Sequence, residues 1–355
     1  MKSTQPDQIV TSGQTQYSKT LVDWSSVRRV LLIRLRSIGD TVLMTPCLTA
    51  LKKLNPSIEI AVVSEPLSAP LLEDHPLVDQ LIVAGPSMRG RARLIGRLRR
   101  ERFDVAFNLH GGTTATLLAA MSGARHTVGY RGYRQSWMLN VRSPSPDLIL
   151  GRKTVHSVEQ QLALTNWTGV PFPERPQLNL AAPPAELAGM RSRLASLGVS
   201  TFAVIAPAAA FEAKRWPAKR FAAVSDYLNR TIALRSLVIA GPGQEQIAQE
   251  VCEAAQSKPI ALTGLSLKEL IALMALSRLY VGNDSGPMHI AAAMGRPLVA
   301  VFGPSNSTVW HPWTDAPYRV VEADGGAIER VTAENALAAV DEVVKSAVAA
   351  TNQAL

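Results

Sequence analysis

The chain has 355 residues, with 37 Lys+Arg against 28 Asp+Glu, a formal charge of +9, 47% hydrophobic and 5% aromatic residues. This length allows two domains of ordinary size, and the apolar fraction excludes a disordered or low-complexity chain. Every apolar run meets Arg, Lys, Asp or Pro before it reaches bilayer-spanning length, and the charge points to an anionic partner without choosing its kind.

In chain order, residues 1–25 are polar at the start and lack the apolar core of a signal peptide; a flexible lead-in and a cytoplasmic protein are expected. From residue 28, short strand-like runs alternate with longer helix-like ones. "RRVLLIRL" is followed by a helix over 41–54, "IEIAVV", a short helical stretch, "DQLIVA", a basic helix near 90–101, "FDVAFNLH" and helical "TTATLLAAM". Pro46 requires the 41–54 helix to start late or to bend.

Alternation of this kind predicts βαβ units on a parallel sheet. It breaks in proline-rich "PFPERPQLNLAAPPAE", residues 171–186, and then restarts. "FAVIAPA", a helix from about Pro217 to Asn229, "SLVIAG", a helix near 244–256, "PIAL", "SLKELIALMAL", "RLYVG", "PMHIAAAMG" and "PLVAVFG" follow. The expected organisation is α/β. A flexible segment spans 1–25, a Rossmann-like domain 26–175, a linker 176–186, a second Rossmann-like domain 187–330, and a terminal helix and tail 331–355. Ligands of open parallel sheets bind beyond the carboxyl ends of the strands, so the loops after residues 34, 109, 207, 241, 282 and 303 are where sites belong.

In the second half, "GNDSGPMHIAAAMG" reads as a turn into a helix. Asp284 or Ser285 suits the cap, Gly286 permits close backbone approach, and Pro287 suits the first turn. The free amides of such a turn bind phosphate, although an ordinary capped helix reads the same way. Lys214 precedes Trp216-Pro217 in a loop between strand and helix, where its ammonium can meet a phosphate or simply face solvent. "AGPGQEQ" holds two glycines of a dinucleotide fingerprint after the wrong strand, so NAD is not expected; Gln244 or Glu245 is placed to meet a ribose or base.

In the first half, Asp40 stands at a strand-to-helix turn after Gly39, with Arg34, Arg36 and Ser37 around it. It reads as a helix cap or as the base that takes a proton from an attacking hydroxyl. Arg89, Arg93, Arg97 and Arg100 share one helix face opposite Leu94, Ile95 and Leu98, suiting a membrane surface, an acidic acceptor or plain solvation. The lack of interleaved aromatics argues against nucleic acid. His110 at a strand end and His289 inside the phosphate-facing helix are hydrogen-bonding or structural residues, and no His or Cys pair has metal-ligand spacing. Cys47 and Cys252 read as reduced, buried thiols.

"LLIRLRSIGDTVLMTPCLTALKKLNPSIEIAVV" and "GNDSGPMHIAAAMGRPLVAVFGPSNSTVW" resemble the two signatures of glycosyltransferase family 9, the ADP-heptose lipopolysaccharide heptosyltransferases, in order over about residues 28–314. The resemblance implies a GT-B fold, two Rossmann-like domains facing each other across a cleft, and inverting transfer without a metal or other cofactor. It places the general base at Asp40, the diphosphate-binding helix start at Asp284, Ser285, Gly286, Pro287 and His289, and the phosphate-binding lysine at Lys214. "KTVHSVEQQLAL" is similar to the helix closing the first domain, with His156 in place. The family's ribose-holding acid has no exact counterpart; Glu245 lies nearest.

The expected activity is therefore transfer of heptose from ADP-heptose to an anionic, lipid-linked saccharide held by Arg34, Arg36, Ser37, Gly39 and His110, at the cytoplasmic face of the inner membrane. Three other readings stay open: a related transferase using another nucleotide sugar, a sugar-nucleotide epimerase of similar fold, and a non-enzymatic protein that binds anions or membrane surfaces.

Overall fold

A computed structural model describes residues 9–11, 14–16 and 21–353, and the chain divides into two compact units, Met1–Pro176 and Gln177–Leu355. The first unit holds, in chain order, β1 (Arg29–Ile33), α1 (Ile38–Leu43), α2 (Thr45–Leu54), β2 (Glu59–Ser64), β3 (Gln80–Val83), α3 (Met88–Glu101), β4 (Val105–Asn108), α4 (Thr113–Met121), β5 (His126–Tyr130), β6 (Val141–Ser143), α5 (Pro146–Leu150) and α6 (Ser157–Asn166). Its sheet is parallel throughout, in the order β3-β2-β1-β4-β5-β6. The central strands are continuous apolar runs because helices cover both faces. Leu31, Ile33, Ala61 and Val63 pack with Leu94 and Leu98 of α3 and Ala115 and Leu118 of α4 on one side, and α2 lies against α6.

The helix expected over 41–54 is two helices that meet at Met44, with Pro46 in the first turn of α2, where its missing N–H costs nothing. The expected flexible segment 1–25 is too long at its end. Val22 and Trp24 are buried, and the Trp24 indole donates to the Thr168 carbonyl at 2.8 Å and stacks on Phe107 at 6.4 Å. Ile9–Thr11 pairs antiparallel with Gln14–Gln16; residues 1–8, 12–13 and 17–20, which the same expectation covered, lie outside the described residues.

The second unit holds α7 (Pro184–Ser196), β7 (Phe202–Ala206), α8 (Ala218–Ile232), β8 (Arg235–Val238), α9 (Glu245–Ala254), β9 (Ile260–Ala261), α10 (Leu267–Leu276), β10 (Leu279–Asn283), α11 (Gly286–Ala293), β11 (Leu298–Phe302), α12 (Ser307–Trp310), β12 (Tyr318–Glu322) and α13 (Ala333–Gln353). Its parallel sheet repeats the same order, β9-β8-β7-β10-β11-β12. α7 begins inside the expected linker 176–186, with Pro184 in its first turn. The terminal helix expected over 331–355, which could lie against either domain, packs in this unit: Ala336, Val340 and Val343 enter one core with Phe221, Val299 and Val301.

In each unit the strand order reverses between the first strand and the fourth. This opens a crevice at the carboxyl ends of β1 and β4 in one unit and of β7 and β10 in the other.

Candidate active site

At the first reversal the apolar β1 delivers Arg34 and the turn into α1. Ser37 is the N-cap of α1, and Asp40 is its third residue, not its cap. The Asp40 carboxylate reaches back to accept from the Ser37 hydroxyl at 2.9 Å, a reciprocal cap that holds the side chain at the helix start. Its other oxygen is ion-paired with the Arg34 guanidinium, which is only 7% exposed and also donates to the Leu109 carbonyl just beyond β4. Arg34 thus ties the two strand ends together; Asp40 Oδ2 accepts from both the Ser37 hydroxyl and the Ser37 N–H, and Oδ1, paired with Arg34, keeps a lone pair for an incoming hydroxyl. Gly39 is buried under this turn, while Arg36 and Ser37 are exposed beside it.

The β4 end is organised by Asn108, fully buried, a residue that sequence reasoning missed. Its amide oxygen accepts from the His110 and Gly111 N–H groups at 3.1 and 2.9 Å, and its nitrogen donates to Thr116 at 3.0 Å. Burial, and next the Arg34 charge, lower the His110 pKa, so a neutral imidazole adjoins the Arg34–Asp40 pair. Tyr133 was also missed. Its ring lies over Gly111, where φ is +83° and a Cβ would stand 2.7 Å from the ring. Burial pushes its hydroxyl up to about 12, with Arg34 and Asp40 the charges it senses. The Tyr133 loop lies between β5 and β6, and nothing in the apolar pattern of the sequence marks it as part of the crevice.

In the second unit the matching place is held by Asn283, the last residue of the fourth strand and again fully buried. It accepts from the Trp216 N–H at 3.1 Å and donates to the Pro207 carbonyl at 2.7 Å, so it fixes the loop after β7. That loop carries Lys214, whose ammonium lies 2.7 Å from Asp284, a residue whose side chain is 6% exposed. Trp216 anchors the loop from beneath: its indole donates to the Val331 carbonyl at 2.7 Å and its ring meets Phe221 edge-on at 4.9 Å.

Of the two residues expected to suit the cap of α11, Asp284 is paired with Lys214 instead. Ser285 occupies the N-cap position, but its hydroxyl donates to the Asn283 carbonyl at 3.2 Å and accepts nothing from the helix. The amide of Gly286 has no acceptor within α11, and Pro287 follows it in the first turn. Gly286 and Pro287 are half-buried at that helix start, and His289 is buried one turn in. Asp284 sets the direction of the lysine, and the Gly286 amide is the free donor of this helix start, since Pro287 has no N–H and the Met288 N–H donates to the Ser285 carbonyl. Glu245 opens α9 at the same sheet edge and accepts from the Gly243 N–H at 3.1 Å, and the neighbouring Gln244 donates to Ala209 at 3.0 Å. His156 caps α6 through its ring nitrogen, a structural task. Among the described residues there is no cluster of three metal-ligating side chains, and no helix is long and apolar enough to cross a membrane.

Paired Rossmann-like units, one presenting an oriented carboxylate and the other a lysine at a helix start, mark the class: a glycosyltransferase of the GT-B fold. The model of glycosyltransferase family 9 (heptosyltransferase) matches residues 91–338. Lipopolysaccharide heptosyltransferase 3 of Escherichia coli is 30% identical over 296 residues, covering 79% of this chain and 85% of that protein. Among solved structures, a glycosyl transferase family 9 protein from Veillonella parvula superposes with a TM-score of 0.81 at 25% identity, over 92% of this chain and 99% of that one. The E. coli ADP-heptose lps heptosyltransferase II gives 0.75 at 24% identity over 90% and 99%, a likeness of fold. The chain belongs to glycosyltransferase family 9.

Proposed function

We propose that this enzyme moves a heptose from ADP-heptose to an anionic, lipid-linked saccharide of the lipopolysaccharide core, by inverting displacement and without a metal ion. The observation that carries the reading is Lys214, held by Asp284 at the start of α11, where the Gly286 amide has no acceptor within the helix. A nucleotide sugar carries the diphosphate such a site suits, and Glu245 and Gln244 stand at the same sheet edge for the ribose or base. The names of the relatives, lipopolysaccharide and lipooligosaccharide heptosyltransferases, support the sugar and the acceptor class. An E. coli heptosyltransferase solved with ADP has the same fold at a TM-score of 0.72.

In this mechanism the acceptor hydroxyl attacks the anomeric carbon as the bond from that carbon to the diphosphate oxygen breaks, which inverts the configuration. Asp40, held by Arg34 and Ser37, takes the hydroxyl proton, and the bonding electrons leave with the diphosphate. Lys214 and the amide of Gly286 stabilise that growing charge, a task a metal ion performs in other transferases. Arg36 and His110, beside Asp40, meet the acceptor, with Arg36 supplying attraction for its anionic groups.

The lipid on the acceptor suggests work at the cytoplasmic face of a membrane, where the exposed Arg89, Arg93, Arg97 and Arg100 of α3 attract anionic headgroups. The whole reading is tested by comparing thermal shifts with ADP, UDP, GDP and CDP, then analysing products with donor alone and with acceptor. ADP preference and acceptor-dependent transfer are expected. A UDP preference sinks the donor, and an epimerised donor in the absence of acceptor sinks the transfer.

A further inference from the structure

Trp137 is 74% exposed, more than any other bulky apolar side chain among the described residues. Trp24 and Trp216 are by contrast buried, with their indole N–H groups bonded to carbonyls. A slack loop does not explain the difference. Trp137 is the middle residue of a 3-10 turn (Ser136–Met138) that is pinned at both ends. The Ser136 hydroxyl donates to the Arg131 carbonyl at 2.7 Å, and Leu139 is buried against Gly129, where a Cβ would stand 2.6 Å from its side chain. The indole is therefore held outward. One exposed ring needs no partner by itself, and its surroundings decide the matter.

The turn packs against α4, and Leu139 shares one core with Leu118 of α4 and Leu94 and Leu98 of α3. α3, α4 and the turn thus lie together on one face of the first unit's sheet. Arg99 of α3 donates to the Met121 carbonyl at the end of α4 at 3.0 Å, joining the two helices. α4, TTATLLAAM, has no charged residue, and Leu117 and Met121, four residues apart on one side of it, are only half-buried. The exposed arginines of α3 stand on this face, and so do Arg131 and Arg134, exposed on the loop that carries Trp137. α3, α4 and residues 131–140 contain a single acid, Glu101, and it is ion-paired with Arg29 at 2.8 Å. An acidic protein would answer the arginines and leave the uncharged helix unmatched; an anionic bilayer answers both.

We propose that this face lies on an anionic lipid bilayer, with the arginines drawn to lipid phosphates, α4 against the headgroups and Trp137 inserted where headgroups meet acyl chains. An indole, apolar with one N–H donor, suits that boundary. α4 is capped by Gly112, two residues after His110, so a lipid-linked acceptor leaving the bilayer meets the crevice at one end of this helix. The inference rests on the membrane reading of α3 above and adds to it an anchor of different chemistry.

The experiment is co-sedimentation and tryptophan fluorescence with phosphatidylglycerol vesicles for wild type, W137A and W137F. Vesicles whose acyl chains carry bromine should quench wild-type fluorescence, and most of that quenching should vanish in W137F. W137A should bind the vesicles about 10-fold more weakly, the low end of what burying an aromatic side chain is worth. Both variants should keep the wild-type Tm and ADP affinity, since the ring is exposed and the donor site is in the other unit. Quenching that persists in W137F, or equal vesicle binding by W137A, overturns the role of Trp137 and leaves α3 standing. If wild type does not bind the vesicles, the membrane reading of α3 falls too, and binding to polyglutamate instead would mark the face as a protein-docking surface. ADP titration of the same samples tests the donor reading separately.

Discussion

Lys214 Nζ lies 2.7 Å from Asp284 Oδ2, bringing together residues 70 apart in sequence at the strand-order reversal of the second unit. Lys214→Ala removes the cation a diphosphate needs and strands a carboxylate that is only 6% exposed. Charged hydrogen bonds are worth about 1.5–3 kcal/mol, so ADP affinity should fall about 10- to 100-fold. The unpaired Asp284 should lower Tm by several degrees as well. Adding Asp284→Asn should restore much of the Tm and none of the affinity. Recovery of both in the double variant would remove Lys214 from the donor site.

Asp40→Asn keeps the shape of the α1 cap and removes the base. Turnover should drop about 100- to 10,000-fold while ADP affinity stays within about twofold. Arg34, 7% exposed, loses its counter-charge, so a lower Tm is expected in the same variant. Steady-state kinetics beside donor titration decides the matter: equal losses of turnover and donor binding would mean that Asp40 serves folding alone.

His110 makes the enzyme sensitive to acid. Its folded pKa is lowered below the ordinary 6.5, by burial first and Arg34 second, so the unfolded chain binds more protons at mildly acidic pH. Stability is therefore lost as pH falls through about 6.5 toward the folded value. His110→Gln removes this contribution, and its urea midpoint should gain on that of wild type between pH 7.5 and 5.5. Parallel declines would show that the imidazole does not titrate differently on unfolding.

The arginine face of α3 leads to a binding experiment. Leu94 and Leu98 are buried in the first unit's core while Arg89, Arg93, Arg97 and Arg100 are exposed, so reversing those charges leaves the packing in place. At about 1 kcal/mol per charge near an anionic surface, the fourfold Arg→Glu variant should lose at least ~100-fold in affinity for phosphatidylglycerol vesicles, with unchanged Tm. Salt should weaken wild-type binding in the same direction. Equal vesicle binding by both proteins would leave α3 a solvated face.

The sequence by itself determined what depends on local order along the chain. Continuous apolar strands, helical periods between them and a proline-rich break dictate paired parallel sheets, and Gly39-Asp40 and Gly286-Pro287 mark the turns where ligands belong. It did not determine β5, β6 and β12, since HTVGY, VRS and YRVVE are short or polar and become strands by pairing with an already formed edge. Tertiary structure alone decided which groups meet: Arg34 with Asp40 and the Leu109 carbonyl, Lys214 with Asp284. It also gave Asn108 and Asn283 the same task at the ends of the two fourth strands, bonding the loops beside them. Those pairings are set by strand order, which brings the ends of the first and fourth strands side by side, and no local pattern along one strand encodes its neighbour.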